Sequence, residues 1–271
     1  MAINALQSAA SGLSALNTAL DVTSNNLANV NTPGFKSSRV NFQDLLYVEQ
    51  AQPGATNLNG DQRPMGLYVG LGVKASGTQL DFTPGAPQQT GRPLDVMING
   101  TGFFQVQVEP NKGTNGKAYT RAGNFSLNAQ GELVLANDQG RRLQPTITIP
   151  STALQDSITI TSDGHVTYME SGGTEPTDGG QLELATFVNP AGLKQIGENL
   201  YTDTVASGPP NTGNPGSDDR GSLVQSSLES SNVDPTRELI DLIRTQRAFE
   251  MNSQSIRAAD QALQTIAQLK R

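Results

Sequence analysis

AINALQSAASGLSALNTALDVTSNNLANVNTPGF, residues 2–35, sets Leu6, Leu13, Leu20 and Leu27 seven residues apart. Ile3, Ala9, Ala10, Leu16 and Val30 flank that column, so the stretch reads as a helix with one apolar stripe. The helix should stop near Asn31, because the residue before Pro33 is biased out of the α region and Gly34 accepts a left-handed backbone. The second seam position is small or polar, at Ala10, Asn17 and Ser24. Burial of four leucines cannot offset the conformational entropy lost in ordering a helix of this length. The stripe therefore needs cover from elsewhere.

The opposite end of the chain repeats the pattern. Asp234-Pro235 is an N-cap followed by proline at the first helical position, and Lys270-Arg271 suits a helix C-terminus. Between them Leu242, Phe249, Ile256 and Leu263 form a second column, widened by Leu239, Ile243 and Ile266. Gln246, Ser253 and Asp260 leave its other seam position polar. Asp241 with Arg244, Arg247 with Glu250 and Arg257 with Asp260 are spaced for pairs on a solvated face or for register between copies. The two helices, 1–35 and 234–271, are expected to pair as a coiled-coil-like layer, and their exposed columns to be covered by neighbouring copies. The chain reads as an assembly subunit.

Composition narrows the function classes. The 271 residues carry a net charge of −7, 35% hydrophobic residues and no cysteine, which excludes disulfides and thiolate metal sites. The acidic balance, with no basic cluster beyond pairs such as Arg141-Arg142, argues against nucleic acid as a partner. No apolar run reaches the length of a membrane span, so no membrane insertion is expected. The first 35 residues hold no Lys or Arg and no compact apolar core of a signal peptide, so any export should proceed without signal cleavage.

The middle of the chain reads as antiparallel β. Residues 36–47, with anchors at Val40, Phe42, Leu45, Leu46 and Tyr47, read as an extended or irregular linker. Residues 48–63 form a long polar loop or hairpin tip, and 65–80 a single alternating strand through Leu67, Val69, Leu71 and Val73. Short strands are expected at 94–98, 104–108, 117–121, 125–127, 132–136, 146–149, 158–160, 165–169, 182–188 and 222–229. Asn99-Gly100 and Asn115-Gly116 are hairpin-turn dipeptides among several turns between them. The fold class is thus mixed α and β: paired terminal helices, a β connector over 36–91 and 201–233, and an antiparallel all-β domain over 92–200.

No reaction centre emerges. His165, the one histidine, follows an Asp163-Gly164 turn and has no patterned partners. Gly70-Leu71-Gly72 lies inside an alternating strand and opens no helix, unlike a phosphate loop. Catalytic, metal and cofactor residues are all expected to be absent. The segment Gln52-Pro53-Gly54-Ala55 is polar and turn-rich, and the loop containing it is placed to reach a neighbouring copy and stiffen an assembly.

Several stretches resemble a known family. NNLANVNTPGFK at 25–36 is similar to the N-terminal signature of bacterial flagellar rod and hook proteins, and RTQRAFEMNSQSI at 244–256 to its C-terminal partner. RPLDVMINGTGFFQV at 92–106, AYTRAGNFSLNAQGELV at 118–134 and GENLY at 197–201 resemble the family's shared β domain. The length and the run DLLYVEQAQPGA at 44–55 resemble members of the distal rod, with a proximal rod or hook-type protein as the alternative. The residues 48–50 and 56–63 fit that placement less closely. A secreted oligomeric β-domain binding module is the reading from a different class. The resemblance implies a helical homopolymer in the rod of the basal body, crossing the periplasm. It also implies contact with axial proteins of the proximal rod and hook, ring proteins acting as a bushing, and the flagellar export apparatus.

Overall fold

The computed structural model describes residues 2–55, 62–173 and 175–269, and the chain divides into two compact units. Residues 56–61 of the expected loop, the basic pair at 270–271 and the side chain of Ile266 lie outside what is described. A helix at each end and an antiparallel β region between them make the mixed α and β class.

The first unit holds residues 1–28, 38–80 and 234–271. Helix α1 spans Ala2–Ala28 and α2 spans Pro235–Leu269. The start of α2 is capped as its sequence requires: Asp234 Oδ1 accepts from the amides of Thr236 at 2.9 Å and Arg237 at 3.3 Å. The helices run antiparallel. Asn26 Nδ2 donates to Glu238 Oε1 at 3.0 Å, and a Cβ on Gly12 would stand 2.8 Å from Asn252 Nδ2. Those two contacts are fourteen residues apart on both helices, so one register holds along the pair.

A two-stranded ribbon accompanies the helices. Ser38–Asp44 pairs with Val73–Leu80, and Tyr47–Ala51 with Leu67–Gly70, both antiparallel. Of the extended or irregular linker expected over 36–47, the extended alternative holds, since most of these residues form a paired strand. The expected single strand over 65–80 is two strands, broken at Leu71-Gly72. The break has a packing cause. Gly72 sits at φ +118°, and a Cβ there would collide with Ser11 Oγ of α1. Ser8 Oγ donates to the Gly70 carbonyl at 3.3 Å, and Ser11 Oγ accepts from the Val73 amide at 3.3 Å.

The second unit holds residues 29–37 and 81–233. Its main sheet is antiparallel, in the order Lys194–Gly197, Leu200–Thr202, Lys117–Thr120, Phe103–Gln107, Leu184–Thr186 and Asn211–Gly213, with Leu143–Gln144 also on Phe103–Gln107. Phe104, Phe125, Leu133, Ile147, Ile149, Leu182 and Leu184 lie at the centre of its buried core. Of Asn99-Gly100 and Asn115-Gly116, only Asn115-Gly116 makes the hairpin. Both its residues have positive φ, +57° and +70°, as the mirror-image turn requires. Asn99-Gly100 instead sends the chain from one sheet to another: Val96–Asn99 pairs with Ser222–Gln225, while Phe103–Gln107 pairs with Lys117–Thr120. The strand expected over 222–229 is divided at Ser226, φ +59°, so that Ser227–Glu229 pairs with Pro87–Gln89. The strand expected over 146–149 is reduced to a bridge between Glu132 and Thr148.

Candidate assembly surfaces

The residues of both helical columns are neither buried nor free. Leu6, Leu13, Leu20 and Leu27 are half-buried on α1, and Leu242, Phe249, Ile256 and Leu263 are half-buried on α2. The half-buried positions of α2 are 238, 241, 242, 245, 248, 249, 252, 253, 256, 259 and 263, and they include the run 238, 242, 245, 249, 252, 256, 259 and 263. That alternation of four and three is the spacing of a seam on a paired helix. On α1 the deepest side chains are Ala9, Ala15 and Asn26, while Gly12 is also buried. Small residues let the backbones approach, and the leucines are left to the sides. Sequence reading missed this small-residue line because alanine and glycine contribute little to an apolar stripe.

Much apolar surface stays uncovered. Leu239, Ile240, Ile243 and Met251 are exposed on α2, and a hollow of about 280 Å³ is lined by Phe249, Glu250, Ser253, Gln254 and Arg257. The outer part of the ribbon is more open still. Leu46, Tyr47, Val48, Met65, Leu67 and Tyr68 are all exposed, on or beside strands that form only a two-stranded sheet. A lone two-stranded hairpin is marginally stable in water. Gln52, Pro53, Gly54 and Ala55 are exposed beyond it, yet their backbone is not loose: Gly54 donates to the Arg63 carbonyl at 2.8 Å and Arg63 to the Ala55 carbonyl at 2.9 Å. The ladder of the ribbon thus continues into the loop.

A second construction, wholly inside the second unit, anchors the residues that follow α1. Lys36 is fully buried, and its Nζ donates to Glu229 Oε1 and to the Thr83 carbonyl, both at 2.7 Å. Glu229 Oε1 also accepts from the Gly85 amide at 2.9 Å, and its Oε2 lies 3.5 Å from Arg121 NH1. Arg121 donates through NH2 to the Gly100 carbonyl and sits over the Phe103 ring, 5.3 Å from its centroid. Two cations share one carboxylate in a water-poor site. Burial accordingly pulls the Lys36 and Arg121 pKa values below their ordinary values, against the opposing pull of Glu229. Burial likewise drives the neighbouring Tyr201 phenol up. Gly34, at φ +71°, passes so close to the chain that a Cβ would stand 2.7 Å from the Ala122 amide nitrogen, and its own amide donates to the Glu229 carbonyl at 2.8 Å. The Pro33-Gly34 break is thus part of a strap held by buried charge. A lysine buried by tertiary contacts leaves no trace in local sequence pattern.

In the first unit, Asn26 joins three elements. Its amide donates to the Ser38 carbonyl at 2.8 Å and to Glu238, and its oxygen accepts from the Ser38 amide at 3.0 Å. Burial pushes the Glu238 carboxyl above the usual carboxylate range, with the Asn26 hydrogen bond opposing.

His165 is exposed on a strand, where the Thr161 hydroxyl donates to its carbonyl and accepts from its amide. Among the described residues no group of three or more His, Asp or Glu side chains is placed to hold a metal ion, and no helix is long and apolar enough to cross a membrane.

Comparison with known proteins covers nearly the whole chain. Residues 6–36 match the family profile for flagella basal body rod proteins, 97–168 the D1 domain of the flagellar hook proteins FlgE/F/G, and 224–269 the C-terminal region of flagellar basal body rod FlgEFG proteins. The flagellar basal-body rod protein FlgG of Caulobacter vibrioides is 44% identical over 269 residues, covering 99% of this chain and 100% of its own. FlgG of Bacillus subtilis is 38% identical over 278 residues, 99% of this chain and 100% of its own. The rod protein FlgF of Caulobacter vibrioides is 35% identical over 256 residues, 91% of this chain and 89% of its own.

Proposed function

The chain belongs to the family of flagellar basal-body rod and hook proteins, and from that premise we propose that it builds the distal rod as a helical, hollow polymer of itself. In this reading it is a structural subunit that carries torque, surrounds an export channel and catalyses no reaction. The observation that supports the reading is the apolar surface that one copy leaves uncovered in its helix-and-ribbon unit. Leu239, Ile240 and Ile243 on α2 and six large residues on the ribbon face solvent, and exposed apolar surface of this kind marks an interaction site. The half-buried columns, Leu6, Leu13, Leu20 and Leu27 with Leu242, Phe249, Ile256 and Leu263, complete their burial against the helices of adjacent copies.

Its neighbours are axial proteins of the proximal rod and the hook, with ring proteins around it as a bushing. The flagellar export apparatus delivers it without signal cleavage. Gln52, Pro53, Gly54 and Ala55 lie at the end of a hydrogen-bonded ribbon and act as a rigid spacer between copies, which keeps the rod straight. Electron micrographs of basal bodies from cells lacking the chain test the reading. They are expected to end at a shortened rod without hook; complete rods would refute it. Deletion of residues 48–63 is expected to leave assembly intact while the rods curve, and rods as straight as wild type would assign stiffness to the helices.

A further inference from the structure

At the Leu71-Gly72 break of the ribbon, two peptide groups are bonded on both sides. The Leu45 amide donates to the Gly72 carbonyl at 2.9 Å and the Leu71 amide to the Leu46 carbonyl at 3.1 Å, so the ladder crosses the break. In a trans peptide the N–H and C=O point in opposite directions. The Val73 amide and the Gly70 carbonyl therefore turn away from the partner strand, and α1 satisfies both. The Ser11 hydroxyl oxygen accepts from Val73 and the Ser8 hydroxyl donates to Gly70, each at 3.3 Å. Ser11 directs its own proton to the Ser8 carbonyl at 2.9 Å, which leaves its oxygen free to accept. Two residues three apart share a face only when the segment is helical. Near its other end α1 holds the start of the same ribbon, where Asn26 exchanges two hydrogen bonds with Ser38. The lengths agree. The helix rises about 22 Å from Ser11 to Asn26, and the strand spans about 23 Å from Ser38 to Leu45, the residue bonded to Gly72.

We propose that α1 is the gauge that sets where and in which direction the ribbon bends, with Ser8 and Ser11 as positioning residues and Leu71-Gly72 as the hinge. Among the described residues the strands beyond the hinge, Tyr47–Ala51 and Leu67–Gly70, pair only with each other. Their large side chains are exposed, so the outer half has no core of its own to hold a direction. Gly72, at φ +118°, supplies the backbone freedom, and its missing Cβ lets Ser11 approach. The outer ribbon is thus aimed only while the first turns of α1 are helical. In a dilute copy, whose helices lack outer cover, the hinge is free and the apolar strands are not presented in one direction. Neighbouring copies that complete α1 fix the ribbon in the same step. That last consequence rests on the rod reading; the bend itself is a property of one copy.

The absence of native cysteine makes the bend measurable. Gln43→Cys and Gln52→Cys in one full-length chain are exposed sites on either side of the hinge, about 30 Å apart along an extended strand, and each takes a nitroxide label. Labelled chains are diluted in excess unlabelled chain and assembled into rods, so that double electron–electron resonance reads distances within one copy. The expected result is one narrow population in rods and a broad one in dilute monomer. Ser8→Ala/Ser11→Ala in the labelled copy should broaden the rod distribution about twofold by freeing the hinge, while the surrounding copies keep the rod intact. Gly72→Ala should do the same with both hydroxyls present. Gly77→Ala, on the same side of the ribbon with open space where its Cβ would stand, should leave the population narrow. Ser11→Ala alone, which keeps the Ser8 bond, replaces the double variant if that one is excluded from rods. A narrow population in the serine variants, a narrow one in monomer with protease-sensitive ends, or equal broadening from Gly77→Ala would overturn the proposal and leave the rod reading standing. Failure of the unaltered chain to enter rods would overturn the rod reading instead. The same variants are then compared in monomer stabilised by trimethylamine oxide, where the same order supports the gauge and equal widths sink it.

Discussion

Replacing Glu229 by glutamine leaves Lys36 and Arg121 facing each other with no carboxylate between them. Both cations are almost wholly buried, at 0% and 3% exposure, so water cannot take over the lost charge. Breaking a buried pair by removing one partner costs about 3–5 kcal/mol. For a unit of about 160 residues each kcal/mol lowers the midpoint by roughly 2–4 °C, so a fall of about 10–15 °C is expected. Lys36→Met should do less harm. It removes the hydrogen bonds to Glu229 and Thr83, yet it leaves one cation and one carboxylate, 3.5 Å apart, and relieves the excess positive charge. The double variant Lys36→Met/Glu229→Gln should be more stable than Glu229→Gln alone, because it removes one of the two stranded cations. Near-ultraviolet circular dichroism of the full-length monomer on heating gives all three midpoints. A shift below about 3 °C for Glu229→Gln, or a larger loss for Lys36→Met, would refute the argument that the carboxylate holds two charges together.

Three further outcomes follow from the same structure. Phe249→Asp places a charge on the half-buried seam of α2 at a cost of several kcal/mol in each copy; motility is expected to vanish while the thermal transition of the β unit is unchanged, and motile cells would remove Phe249 from the interface. In dilute monomer the helices lack their outer cover, so limited proteolysis is expected to trim both ends and leave a fragment near residues 29–233; protease-resistant ends in a verified monomer would contradict this. Burial raises the Glu238 pKa, so the folded helix pair binds more protons than the unfolded chain between the ordinary carboxylate value and the raised one, and stability falls as pH rises through that window. Helical circular dichroism is expected to be more heat-resistant at mildly acidic pH than at neutrality, with the difference removed in Glu238→Gln, which keeps an oxygen for Asn26.

The terminal helices were legible because period-seven columns and the Asp234-Pro235 cap are local signals. The strands of the β unit were legible where turns of fixed geometry bound them, as at Asn115-Gly116. What the sequence concealed depends on contacts between distant residues. Gly72 looks like any strand glycine until Ser11 of α1 is set against it. Asn99-Gly100 has hairpin composition, but the strands on either side pair elsewhere. Lys36 stands 193 residues from Glu229, so no window of sequence could reveal their ion pair. Ribbon strands with both faces apolar make sense only once another copy is considered.

The central claim is that apolar surface left open in one copy is closed by its neighbours in a rod. An electron cryo-microscopy map of the assembled rod, resolved to side chains, measures this directly. The account predicts that Leu239, Ile240 and Ile243 of α2 and Tyr47 and Tyr68 of the ribbon are covered by adjacent copies. A rod in which these residues still face water would contradict it.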